Sequence, residues 1–256
     1  MKDWAVILGA SSAIGKSCAI KLAQKGINIF GIYLRRPKDQ IEALTLELES
    51  YGVKVIFKKM SATNAVKRAE AIDDLKTQVD IRVKIFIHSI AFGALKPFIE
   101  SEPKDAISQK QIEMTLDVMG NSLVYWCQDL FHTGLLKKGS QIFGMTSSGS
   151  KRQWKSYGAV SMAKSTLESA CRQIALELAP HGIASNAIMA GVTDTPALRK
   201  IPGNDHMIDH AIDVNPHRRL TTPEDIGDAI TMLGLSESSW ITGNTIRADG
   251  GENITG

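Results

Sequence analysis

Three observations predict a doubly wound α/β fold for this chain. Short apolar runs alternate with longer helical patterns from one end to the other. The first run leads through a glycine-bearing turn, Gly9-Ala10-Ser11-Ser12-Ala13-Ile14-Gly15, into a helix. No repeat, low-complexity tract or linker divides the 256 residues, a length that suits one sizeable core. Such alternation means βαβ units and a parallel sheet covered on both faces.

The first strand is read at Trp4 to Leu8, and a helix from Ile14 to Gln24 ends at Gly26. A strand at Ile27 to Leu34, a helix at Asp39 to Ser50, a strand at Val53 to Phe57 and a helix at Ala65 to Val79 follow. Val83 to His88 is the fourth strand, with a loop and then a helix from about Gln109 to Leu130. Ser140 to Met145 is the fifth strand, Ser161 to Ala179 a long helix, and Ile183 to Ile188 the sixth strand. A mixed stretch, Thr195 to Leu220, interrupts the alternation before a helix at Pro223 to Leu233 and a last strand near Asn244 to Arg247. Right-handed crossovers between these units place ligands at the strands' carboxyl ends, near the point where strand order reverses. The expectation is therefore a Rossmann-type parallel seven-stranded sheet with helices on both faces. It forms one domain over residues 1–256 with a substrate loop at about 195–220.

Composition excludes several classes. Apolar residues are 43% and charged residues 22%, as in soluble globular chains. No apolar run approaches the ~18 residues of a membrane span, and the N-terminus leads straight into a strand, so no signal peptide is expected. Cys18, Cys127 and Cys171 lie in helical patterns without a pairing motif, which suits a reducing compartment. A net charge of +3 is too small to argue for nucleic acid. Cytoplasm is the expected location.

A glycine-rich turn between a strand and a helix presents backbone N–H groups and the positive helix end to a diphosphate. Gly9, Ser11, Ser12, Ile14 and Gly15 are the candidate contacts, with Ala13 where the three-residue variant of this motif has a middle glycine. The second strand ends Tyr33-Leu34-Arg35-Arg36, with no acid before Asp39. An acid there would accept from the adenosine ribose of NADH, whereas arginine pairs with a 2′-phosphate. NADPH is the expected cofactor and NADH the less favoured one.

Tyr157 and Lys164 stand seven residues apart in the stretch that opens the long fifth helical pattern. A helix turns ~100° and rises ~1.5 Å per residue, so both side chains are expected on one face about 10 Å apart. A phenol and an ammonium so placed suit stabilisation of a developing oxyanion.

These residues resemble the short-chain dehydrogenase/reductase superfamily, and within it the divergent enoyl-acyl-carrier-protein reductases. The resemblance is carried by Tyr157-x6-Lys164 and by His88-Ser89-Ile90-Ala91-Phe92-Gly93 after the fourth strand. Carbonyl-reducing members have a four-residue spacing, but Val160 stands four before Lys164 here; they have a serine thirteen before the tyrosine, where this chain has Gly144; and Asp117 replaces an asparagine. The match runs on to Asp249-Gly250-Gly251 and looks most like the NADPH-using subgroup through residues 191–198 and 216–220. Ser147 occupies the place where many relatives carry a second tyrosine, so no second phenol is expected.

The resemblance implies reduction of a trans-2-enoyl thioester on acyl carrier protein or CoA, the last step of the fatty-acid elongation cycle. Tyr157 would donate to the thioester oxygen, and Lys164 would hold the nicotinamide ribose. The nearby cation is expected to give the phenol partial phenolate character. Ser61 and Ala62 would hold the adenine. Ser89 and Ile90 would lie against the cofactor, with Gly93 and Ser147 beside the substrate. Gly191, Val192 and Thr193 would grip the carboxamide, and Thr195 would reach the diphosphate. A homotetramer is the family expectation.

His206 and His210 sit one helical turn apart, but no third ligand is anchored nearby, so no metal is expected. Arg199, Lys200, Arg218 and Arg219 are candidates for an acidic carrier or CoA phosphates, with solvated surface the plainer reading. Three alternatives stay open: an enoyl- or dienoyl-CoA reductase, a 3-oxoacyl or alcohol oxidoreductase, and a dinucleotide-binding regulator without turnover.

Overall fold

The structure is a computed structural model that describes residues 2–255. Its strands are β1 (Lys2–Leu8), β2 (Asn28–Tyr33), β3 (Val55–Lys59), β4 (Ile81–His88), β5 (Gln141–Ser147), β6 (Ala184–Ala190) and β7 (Thr245–Ala248). Its helices are α1 (Ala13–Ala23), α2 (Lys38–Glu49), α3 (Ala65–Lys76), α4 (Gln109–Leu116), α5 (Ser122–His132), α6 (Gly158–Leu178), α7 (Asn204–Val214) and α8 (Pro223–Gly234). The strands form one parallel sheet in the order β3-β2-β1-β4-β5-β6-β7. Strand order reverses between β1 and β4, so their carboxyl ends flank the crevice where such sheets bind ligands.

Both faces of the sheet are covered, and the central strands β1, β4 and β5 are buried along most of their length. Residues 4–8 of β1 are all buried. Val6, Leu8 and Phe86 point into one core with Leu123, Trp126 and Leu130 of α5 and Leu167 and Cys171 of α6. Ile7, Ile85 and Ile87 point into the other, with Cys18 and Leu22 of α1 and Ile226 and Ile230 of α8. Burial of this kind is worth roughly 1.5–3 kcal/mol per large apolar side chain.

Two features lie outside the sequence reading. The helix expected from 109 to 130 is broken by a π-helical turn, Asp117–Asn121. A Cβ on Gly120 would come within 3.2 Å of Ala163 O, so the bare backbone there lets α6 approach. The mixed stretch contains α7, entered through left-handed Gly203 (φ 76°) and fixed by Trp154 Nε1 donating to Pro202 O at 2.9 Å. No helix among the described residues is long and apolar enough to cross a membrane.

Candidate active site

The turn after β1 is shaped by steric exclusion. Gly9 has φ 83°, and a Cβ on it would lie 2.3 Å from Ser89 O; a Cβ on Gly15 would lie 2.2 Å from Gly9 O. Ser12 donates its hydroxyl to Gly9 O at 2.7 Å, closing the turn. That hydroxyl makes no cap to the helix, so the first N–H groups of α1 point outward without intrahelical partners. Ser11 and Ile14 are half-buried on this rim. A diphosphate fits this cradle by charge and by space.

At the end of β2 the two arginines go separate ways. Arg36 donates to Ser11 O at 2.8 Å and to Gln40 Oε1 at 3.3 Å, which ties it to the glycine turn. Arg35 is exposed and lays its guanidinium 3.9 Å from the Phe92 ring centroid. Beyond β3, Ser61 Oγ is 3.1 Å from Thr63 Oγ1, and Ala62 O accepts from Trp126 Nε1 at 2.9 Å.

Tyr157 is the cap residue of α6 (φ −98°, ψ 0°), one position ahead of the helix, and its carbonyl accepts from Ser161 N at 2.9 Å. It packs against the small cluster of Met119, Val160 and Ala163, which Ile90 and Leu95 also cover, and its ring lies against Gly149, where a Cβ would be 2.6 Å away. Burial raises the phenol above its ordinary value, and a hydrogen bond with Ser147 pulls the other way. This corrects the expected phenolate character: desolvation disfavours the charged form, so the phenol is a neutral donor. Lys164 is buried and donates from Nζ to Met145 O at 2.7 Å. Burial lowers it to about 8, against the opposing charge of Glu168 one turn on. Glu168 is itself held by the Thr146 hydroxyl at 2.7 Å.

The substitutions seen in sequence have physical causes. Gly144 faces α6, and a Cβ there would lie 2.6 Å from Leu167 Cδ2 and 2.9 Å from Cys171 Sγ, so any larger residue requires those two side chains to shift. Asp117 accepts from Tyr125 Oη at 2.8 Å. His88 is fully buried, 2.8 Å from Ser122 Oγ through Nε2, and burial lowers it to about 3, so the imidazole is neutral. Gly93 is wedged between Thr115 of α4 and Val160 of α6, where a Cβ would lie 2.7 and 2.8 Å from their methyls.

After β6, Val192 is engaged on both sides: its N–H donates to Glu252 Oε2 at 2.9 Å and its carbonyl accepts from Thr221 N at 3.1 Å. That leaves Thr193 as the better placed backbone for a carboxamide, its hydroxyl donating to Gly191 O at 2.9 Å. Thr195 Oγ1 accepts from Leu198 N at 3.1 Å. Gly191 has no room for a side chain, because a Cβ would lie 2.3 Å from Thr221 Oγ1 and 2.9 Å from Glu252 Oε2.

Glu252 has no counterpart in the sequence reading; only the pairing of β6 with β7 brings it here. Burial raises its carboxyl above the ordinary value, partly countered by the Val192 N–H. Between the ordinary and raised values the folded state holds more protons than the unfolded one, so this group's contribution falls as pH rises through that window. Glu252→Gln keeps an acceptor for Val192 without the charge. It is expected to gain Tm relative to wild type above the window and to lose that gain below it, in melts from pH 4 to 8. A difference that stays flat across that range refutes the assignment.

The basic residues weighed as carrier contacts are mostly ion-paired. Arg199 meets Asp194 at 2.7 Å and Asp205 at 3.3 Å, Arg218 meets Asp213 at 3.2 Å, and Arg219 meets Asp225 at 2.6 Å. Lys200 is exposed. His206 and His210 lie on α7. No group of three or more metal-ligating side chains occurs among the described residues.

Residues 9–253 match the family model described as enoyl-(acyl carrier protein) reductase. An enoyl-[acyl-carrier-protein] reductase [NADH] of Buchnera aphidicola is 30% identical over 98% of this chain and 91% of its own length. A 1-cyclohexenylcarbonyl-CoA reductase of Streptomyces collinus is 27% identical over 97% of this chain and 86% of its own. Among solved structures, the enoyl-[acyl-carrier-protein] reductase (NADH) of Aquifex aeolicus superposes with TM-score 0.84 at 24% identity, covering 100% of this chain and 97% of that one. An acetoin dehydrogenase from Enterobacter cloacae superposes with TM-score 0.82 at 21% identity, covering 100% and 97%. The last two likenesses speak to the fold alone. With its whole dinucleotide cradle and its Tyr157–Lys164 pair inside the matched span, this chain belongs to the enoyl-(acyl carrier protein) reductase family of the short-chain dehydrogenase/reductase superfamily.

Proposed function

We propose that this protein reduces the 2,3 double bond of trans-2-enoyl thioesters on acyl carrier protein, with NADPH as reductant, completing the fatty-acid elongation cycle. The observation that carries this reading is the buried, neutral Tyr157 phenol joined to Ser147 and set one position ahead of α6, seven residues before Lys164. When bound, the nicotinamide would supply hydride to the β-carbon, and a proton added at the α-carbon, ultimately from water, would complete the saturated product. Tyr157 donates a hydrogen bond to the thioester oxygen, where enolate charge collects, a contact made strong by a dry setting. Lys164, anchored on Met145 O, orients the cofactor ribose and places a cation beside that charge. The oxygen of a conjugated thioester lies three bonds from the carbon receiving hydride, against one in a ketone, which suits a phenol set further from its lysine than in ketone reductases. The apolar cluster of Met119, Val160 and Ala163 that Tyr157 packs against, with Ile90 and Leu95 on it, helps keep water from the reacting atoms.

NADPH is favoured by two adjacent arginines and no acid at the end of β2. NADH is the second reading, favoured by the names of the Buchnera and Aquifex proteins. A CoA thioester substrate is favoured in turn by the Streptomyces relative. The cytoplasm is the proposed location. A homotetramer is proposed on α6, whose Met162 and Leu176 are exposed apolar residues. The test follows absorbance of NADPH and NADH with crotonyl-CoA and an enoyl-acyl-carrier-protein. Turnover is expected with both thioesters, faster on the carrier protein and with NADPH. Activity confined to 3-oxoacyl thioesters or alcohols overturns the proposal.

A further inference from the structure

Resting on the NADPH reading, we infer that Arg35 and Phe92 form a strap across the dinucleotide groove that cofactor must part, so that Phe92 sets cofactor affinity. Strand order carries the argument. β2 and β4 lie on either side of β1, so their carboxyl ends stand about 10 Å apart with the Gly9–Gly15 turn between them. Arg35 lies two residues beyond β2 and Phe92 four beyond β4. Their contact, 3.9 Å from guanidinium carbon to ring centroid, therefore passes over the turn that cradles a diphosphate. A dinucleotide running from that turn to the end of β2 meets this contact.

The two ends of the strap differ in freedom. Phe92 is backed by Gly93, which is wedged between α4 and α6, and by Ala94, whose N–H donates to Thr115 Oγ1 at 3.0 Å. Arg35 is exposed and has no carboxylate partner among the described residues, unlike Arg199, Arg218 and Arg219. Arg36 is already tied to the turn. Arg35 is thus the element that moves. An exposed cation–π contact is weak, whereas a guanidinium on a phosphate is a charge-assisted pair. A 2′-phosphate draws Arg35 off the ring, but a cofactor without that phosphate must break the strap with nothing in exchange. Parting the strap is a cost common to both cofactors, so the ring lowers the affinity of each alike, and discrimination between them comes from the phosphate contact.

Calorimetric titration of NADP+ and NAD+ into wild type, Phe92→Leu, Phe92→Tyr and Arg35→Gln tests this, with a melt of each free protein to verify folding. Phe92→Leu is expected to tighten both cofactors by a common factor of about 2–5. Phe92→Tyr, which keeps the ring, stays at the wild-type values. Arg35→Gln tightens NAD+ by a similar factor but weakens NADP+ by about tenfold or more. Unchanged or weaker binding of both cofactors to folded Phe92→Leu overturns the strap, as does an Arg35→Gln protein whose NAD+ affinity does not rise. If the NADPH reading alone is wrong, Arg35→Gln tightens both cofactors alike while Phe92→Leu behaves as expected.

Discussion

Tyr157→Phe lowers kcat by roughly 10²–10³ while KM and cofactor affinity change little, the loss typical of one oxyanion donor. The variant is nearly isosteric. Its ring stays packed against the Met119, Val160 and Ala163 cluster, and still lies over Gly149. Only the hydroxyl goes, and with it the bond to Ser147. That bond is worth about 1 kcal/mol net, so the fold survives. The pH profile adds a second reading of the same group. Burial raises the phenol, so its donor form persists through the ordinary tyrosine range and is lost only above it. Any alkaline fall in wild-type kcat that comes from this group is therefore expected only above about pH 10 and missing in the variant, whereas loss of the Lys164 cation near pH 8 is common to both. A loss of less than tenfold in single-turnover assays would remove Tyr157 from the reacting oxygen.

Much of this architecture was readable before any coordinates, for a definite reason. A strand buried on both faces tends to be a short apolar run, as residues 4–8 are and as residues 83–88 are apart from Lys84 and His88. The glycine turn was legible because only glycine tolerates the φ of Gly9 and the closeness of Gly15 to Gly9 O. What escaped the sequence depends on residues far apart in the chain. Glu252 reaches Val192 across sixty positions, and His88 meets Ser122 across thirty-four. The π-helical turn is set by how closely α6 approaches Gly120, which no local propensity encodes. α7 had a usable signal in Met207, Ile208, Ala211 and Ile212, masked by Pro202, Gly203 and Pro216 around it. The phenolate expectation went astray because charge proximity was weighed without desolvation, which is the larger cause at Tyr157.

Lys164→Met separates the catalytic use of the lysine from its cost to the fold. Activity is expected to fall roughly 10²–10³-fold, since both the ribose anchor and the cation beside the developing charge are lost. Stability responds differently. Burial takes the ammonium from 10.5 to about 8, which corresponds to roughly 3 kcal/mol against the charged form in the folded state. Below about pH 8 that penalty is fully present. Between 8 and 10.5 the unfolded chain still holds the proton that the folded chain has released, so wild-type stability rises with pH across this window. Methionine has nothing to titrate. At neutral pH it removes the penalty but leaves Met145 O without its donor, a loss of about 1–3 kcal/mol. The two nearly cancel there, and the decisive quantity is the difference from wild type as pH changes. Urea melts at pH 7 and pH 10 should show the variant losing roughly 2–3 kcal/mol relative to wild type. Groups common to both proteins drop out of that difference. A constant offset would mean that Lys164 keeps an ordinary pKa, with its charge solvated or matched by Glu168, and it would then cost the folded state little.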